Sequence, residues 1–179
     1  MMTEIYNALC ACFGLSPSSQ EASILIREAY MEPENSPWPP RDTDVIYYSV
    51  ETDQSAGEPP QAYTAENPTG SSHVPTVSGF YAYKLIVVCY GPNAPENARK
   101  IRTFLYIDGS GYPRSILRKA GIYPVPDPPE VLIFHEPEGG LWRSRADVVI
   151  SLRAAETLSH KNRRNAITIA PAIIIHKGE

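Results

Sequence analysis

GFYAYKLIVVCY, residues 79–90, runs directly into GPNAPENARKIRTFLY, residues 91–106, and the change from a β-rich run to a helical spacing between the two decides the fold. In the first half β-branched and aromatic residues dominate, the pattern of a strand. In the second half Ala98, Ile101 and Leu105 recur at three and four residues with Phe104 beside them, which predicts a helix through about Tyr106. Asn93 is placed to cap it, Pro95 falls in the first turn where a missing N–H costs nothing, and Glu96 stands at the capping-box position. Arg99, Lys100 and Arg102 fall largely on the outer side, where a charged face is ordinarily just solvated.

Upstream, Ile5, Tyr6, Leu9, Cys12 and Phe13 give Thr3 to Phe13 a helical spacing that Gly14, Ser16 and Pro17 stop. Cys10 and Cys12 face different sides of that helix and read as small apolar fillers. Ser23 to Met31 reads as a strand, halted by Pro33, Pro37, Pro39 and Pro40. Trp38, in that proline-stiffened connector, must either tuck into the core or face a partner. Asp44 to Thr52 is a β-rich run. Between it and the long strand, residues 53–78 contain Pro59, Pro60, Pro68 and Pro75 and too few large aliphatics to fill a core. They read as a long arm inserted in a hairpin, and loops of that length inside a compact domain tend to be functional or disordered. The expectation is an arm that becomes ordered against a partner.

Downstream, Asp108 to Gly111 is a turn, and Pro113 opens a second short helix, RSILRKA, closed by Gly121. A proline-rich link from Pro124 to Pro129 leads to a strand over Glu130 to His135, a turn over Pro137 to Gly140 and a strand over Leu141 to Leu152. Ala154 to Asn165 is a short helix or a loop. Ala166 to His176 reads as a last strand in which Pro171 marks an edge or a bulge. The expected fold is α+β: one domain over residues 1–179, with a small mixed, mainly antiparallel β-sheet flanked by an N-terminal helix and one or two further helices, and a long hairpin arm.

With 42% apolar and 20% charged residues the composition is that of a globular protein. Apolar runs fall far short of the ~20 residues a bilayer span needs, so a soluble protein with no membrane partner is expected. Met1 to Leu15 has no basic cluster of the kind that opens a signal peptide. Cys10, Cys12 and Cys89 lack metal or redox spacing and read as reduced thiols in a cytoplasm. Residues 1–90 hold 11 acidic against 3 basic side chains, and residues 91–179 hold 9 against 13. Opposite charge on two halves suits a subunit whose one face pairs with the other face of its neighbour.

Signals of chemistry are weak. The glycines of Asp108 to Gly111 lack the rest of a phosphate-binding loop, His73, His135, His160 and His176 are far apart, and no nucleophile elbow occurs. Asp42 with Asp44 and Glu136 with Glu138 flank strands and turns, where solvated acids are normal. No catalytic residue, cofactor or metal site is therefore assigned, and an enzyme is not expected. Contact residues stand out more clearly: Trp142, Arg143 and Arg145 enter a strand beside a glycine tip, and Trp38 adjoins Arg41 in the connector. Tryptophan and arginine are enriched at interface hot spots because they bury large areas and pair with carboxylates through a rigid fork. With Arg99 and Arg102 of the basic helix face, these make the candidate interface set.

The order of elements resembles the phage neck terminator proteins, a family of neck and tail terminators of tailed bacteriophages. The resemblance is carried by the N-terminal helix, the strand leading into ENSPWPPRDTDVIYYSV (34–50), the strand and helix CYGPNAPENARKIRTFLY (89–106) and the closing GGLWRSRADVVISL (139–152). It implies a virion protein, assembled in the host bacterial cytoplasm, that forms a homo-oligomeric, usually hexameric, ring at the head-proximal end of the tail. Such a ring ends growth of the tail tube protein, docks to a neck/connector or head-completion protein, meets a tail sheath protein where there is one, and meets DNA only as it passes through the lumen. Two alternatives stay open: another neck protein, such as a head-completion or stopper protein, or a nucleic-acid-binding module using Arg99, Lys100, Arg102, Lys161, Arg163 and Arg164.

Overall fold

A computed structural model of the chain describes residues 1–29, 39–53, 61–64, 76–107 and 111–159. Its axis is an antiparallel pair, β4 (Thr76–Tyr90) and β7 (Leu141–Ser159), in register from Thr76 opposite Ser159 to Tyr90 opposite Arg145. At ~3.3 Å per residue this ladder is roughly 50 Å long, and each of its flanks is covered by two shorter strands. Along β4, β2 (Val45–Thr52) pairs with residues 83–90 and β3 (Gln61–Thr64) with residues 76–79. Along β7, β6 (Val131–Glu138) pairs with residues 141–148 and β5 (Ile122–Pro124) with residues 152–154. β1 (Ile26–Glu28) runs parallel to β2, so the sheet is mixed but mostly antiparallel. With helices α1 (Met2–Cys12), α2 (Gln20–Leu25), α3 (Ala94–Tyr106) and α4 (Tyr112–Lys119), the fold is α+β.

The two-residue alternation of the strands sorts the sheet into two faces. Ile46 and Tyr48 of β2, Leu85, Val87 and Cys89 of β4, and Ala146, Val148, Ile150 and Leu152 of β7 are buried together. Against them pack Ile5 and Leu9 of α1, Ala98, Ile101 and Leu105 of α3, and Leu117 of α4. Each fully buried aliphatic side chain contributes about 1.5–3 kcal/mol, so this layer holds the helices to the sheet. The opposite face carries Tyr47, Ile86 and Val88, which are half-buried, and Val149, which is exposed.

Several expectations change in detail. Ser23 to Met31 is not one strand: Ser19 caps α2 by accepting the Ala22 N–H at 3.2 Å, and among the described residues of that run only Ile26–Glu28 is a strand, residues 30 and 31 lying outside them. The cap signal lies upstream of the apolar run, where a β-branched stretch hides it. Cys10 and Cys12 are both buried, because α1 packs against α3, α4 and β1 and so is covered on more than one side. Residues 53–78 hold β3 and the first residues of β4; residues 54–60 and 65–75 lie outside the described residues. The strand of the long hairpin runs through Pro137 to Glu138, which an outer strand tolerates, and leaves Gly139 (φ 58°) and Gly140 (φ 81°) as a two-residue turn of the kind that matches strand twist. β7 continues through residues 154–159, where a short helix or loop was expected. The strand expected over Ala166 to His176 lies outside the described residues, as does the turn at 108–110.

Asn93 occupies the N-cap of α3, yet its side chain makes no capping bond. Its backbone N–H and its Nδ2 donate instead to the Asp44 carboxylate, at 3.0 and 2.8 Å. A charged acceptor draws both donors, and it pins the start of α3 to the start of β2.

Candidate functional site

The β6–β7 hairpin presents its apolar residues to solvent on both faces. Leu132 and Phe134 point to the face away from the helices, while Ile133 and Trp142 share the parity of the buried Ala146 and Val148. All four are exposed, Trp142 by 66%, and Leu141 beside the turn by 61%. Among the described residues β6 pairs with β7 alone, so its outer edge is open. A strand with one packed face alternates apolar and polar side chains, whereas VLIF has apolar residues at four consecutive positions. Such a strand leaves one apolar face uncovered wherever it sits at the margin of a sheet.

Arginines brace this hairpin from the face away from the helices. Arg143 is only 3% exposed, with Nη1 3.4 Å from Glu138 Oε2 and its guanidinium 5.1 Å from the centre of the Tyr90 ring. Arg145 lies between the rings of Tyr90 and Phe134, 5.7 Å from each centre. It grips Asp147 through Nε and Nη2, at 2.8 and 2.7 Å, and reaches Glu136 through Nη1. The Asp147 hydrogen bonds hold the Arg145 guanidinium above its ordinary pKa. Burial pushes the Tyr90 phenol up, against the lowering effect of Arg145. Diagonal cross-strand pairing places these charges: Glu136 lies opposite Arg143 and Phe134 opposite Arg145, so each long side chain reaches a neighbour one step along. A cavity of about 240 Å³ opens between Tyr90, Glu136, Pro137, Glu138 and Arg143.

Of the expected contact residues, the structure brings Arg41 to the hairpin, where its Nη2 donates to the Trp142 carbonyl. Arg41, in the described end of the connector, is thereby tied to the glycine-tipped hairpin. Trp38 lies outside the described residues. Arg99 is exposed on α3, and Arg102 is half-buried there with its Nε unpartnered among the described residues. Neither shares a hydrogen bond or ion pair with the hairpin among the described residues. Sequence reading passed over Leu132, Ile133 and Phe134 as contact residues; the missing alternation in VLIF was the available signal.

Burial raises the Cys89 thiol to about 12, and Cys10 and Cys12 are buried too. Among the described residues no group of three or more His, Cys, Asp and Glu side chains is placed to hold a metal, and no helix is long and apolar enough to cross a membrane. His135 stands exposed on β6; His73, His160 and His176 lie outside the described residues. The arrangement offers a braced apolar projection suited to protein contact. No protein-family model matches the chain, and no curated protein matches it.

Proposed function

We propose that this chain is a structural subunit of a tailed-phage neck, closing with copies of itself into a ring at the head-proximal end of the tail. There it ends tube growth and offers a docking face to the neck or connector. The observation that carries the reading is the hairpin: five large apolar residues, Leu132, Ile133, Phe134, Leu141 and Trp142, stand exposed on a strand pair that buried arginine and ion pairs hold rigid. Large apolar side chains exposed on both faces of a braced strand pair with an open edge offer an interaction surface, and tryptophan is among the strongest contributors at one. The opposite charge of the two halves of the sequence supports head-to-tail contacts between unlike faces, the kind that close into rings.

The test is polymerisation of the same virus's tail tube protein with and without this chain. The wild-type chain should stop elongation and set a narrow tube length. Trp142→Ser combined with Leu132→Ser, both exposed in the subunit, should keep the fold and lose the cap. Tubes of unrestricted length in the presence of the wild-type chain would reject the reading.

A further inference from the structure

A second concave surface lies at the other end of the molecule's β7 flank, where the end of α3, α4, β5 and the proline-rich link meet. Its cavity of about 260 Å³ is lined by Tyr106, Arg114, Arg118, Tyr123, Pro126 and Pro128, among others. Arg114 and Arg118 are one helical turn apart on α4, so their side chains fall on the same face. Neither has a hydrogen bond or ion pair among the described residues, whereas Arg143 and Arg145 both find carboxylates. The Tyr106 hydroxyl is buried and has no hydrogen-bond partner among the described residues. Its phenol is pushed up to about 12, first by burial and then by the Asp127 carboxylate, so it remains a donor at neutral pH. Among the described residues Asp127 is the acid that acts on Tyr106, against two guanidiniums in the lining.

These groups define the ligand's chemistry. Two guanidiniums and a buried hydroxyl are donors, and a carboxylate accepts from both kinds. Tyrosine and proline walls favour a flat or ring-bearing apolar body beside that carboxylate. A nucleic acid would need a broad basic track with stacking bases, and this concavity offers a single pair of arginines. We propose that the cavity binds a short acidic, proline-bearing peptide segment of a second copy of this chain, its carboxylate held by Arg114 and Arg118 with Tyr106 donating. The chain carries such a sequence in its acidic half, Glu32-Pro33-Glu34-Asn35-Ser36-Pro37. The inference rests on the ring reading only for the source of the peptide.

The experiment titrates the capped hexapeptide EPENSP into the full chain by calorimetry, at protein concentrations below any self-association. Saturable binding is expected. It should weaken about tenfold or more in the Arg114→Gln, Arg118→Gln double variant, and by a similar factor when both peptide glutamates are glutamine. Tyr106→Phe should weaken it several-fold, and Trp142→Ser should leave it unchanged. Equal binding by the glutamine peptide, or by the double variant, would overturn the proposal. So would inorganic phosphate binding more tightly than the peptide, which would make this a simple anion site. Rings without peptide binding would reject this cavity alone; peptide binding without rings would reject the ring reading alone.

Discussion

Gly91 is the position at which a single methyl group should do the most damage for its size. It leaves β4 with φ +110°, a conformation L side chains rarely adopt, and the strain of forcing alanine there is about 1–3 kcal/mol. A Cβ at this position would lie 2.5 Å from Asp44 Oδ1, 2.7 Å from Asp44 Cα and 2.7 Å from the Thr43 carbonyl oxygen. Two of those three atoms are backbone, so relief requires moving the start of β2. That movement breaks the bonds from Asn93 to Asp44, whose loss adds about 1–3 kcal/mol. Gly91→Ala should therefore destabilise by roughly 3–5 kcal/mol in all, allowing for partial relaxation, and lower Tm by about 6–20 °C for a chain of this size. Gly14 is the control: its φ is +67°, but a Cβ there meets nothing within 4 Å. Gly14→Ala should cost only about 1 kcal/mol. Urea and thermal unfolding followed by circular dichroism would measure both. A loss in Gly91→Ala no larger than that in Gly14→Ala would refute the close-approach reasoning.

Other expectations concern the brace and the buried acids. Arg145→Met should destabilise the fold by about 1–3 kcal/mol, because it leaves Glu136 and Asp147 facing each other without the guanidinium; unchanged urea midpoints would contradict it. Stability should fall at alkaline pH. Cys89, Tyr48 and Tyr106 are each raised to about 12 by burial, from ordinary values of 9, 10 and 10. Their neutral forms are favoured in the folded state, so their contribution is complete below about pH 9 and is lost as pH rises toward 12. Urea midpoints between pH 8 and 11 would show the decline, and Cys89→Ala should flatten its first part. The same thiol should resist an aromatic disulfide reagent at pH 8 until the chain is unfolded; rapid labelling of native protein would contradict its burial.

The parts of the fold legible in sequence are those whose period is long and unbroken. The helix to Tyr106 and the N-terminal helix show apolar residues at the helical repeat, and the strand ending at Tyr90 shows itself by a long run of β-branched and aromatic residues. Short elements were missed because three to six residues establish no period: α2 hides behind a β-branched run, and β3 and β5 exist only through pairing with β4 and β7. Pairing also overrides local signals, as at 154–159, where polar composition argued against a strand but the ladder with β4 continues. The hairpin was legible through Trp142, Arg143 and Arg145, but not the division of labour among them. Sequence alone cannot show that Arg143 is buried against Tyr90 while Trp142 is exposed, since that depends on which face each residue takes after the glycine turn. The Arg114–Arg118 cavity was invisible for the opposite reason: i, i+4 arginines on a short helix ordinarily face water, and the wall that makes them a site comes from Tyr106, Tyr123 and distant prolines.

Assembly of this chain with itself into a closed ring is the proposal on which its function rests. Its most direct measurement is the mass of the purified protein by light scattering over a concentration series, alone and with tail tubes, with negative-stain images of the same fractions. A discrete oligomer seen end-on as a ring, in free solution or seated on the tube end, is expected, and it should be lost in the Trp142→Ser, Leu132→Ser variant. A monomer at every concentration that also leaves tube ends bare would contradict it.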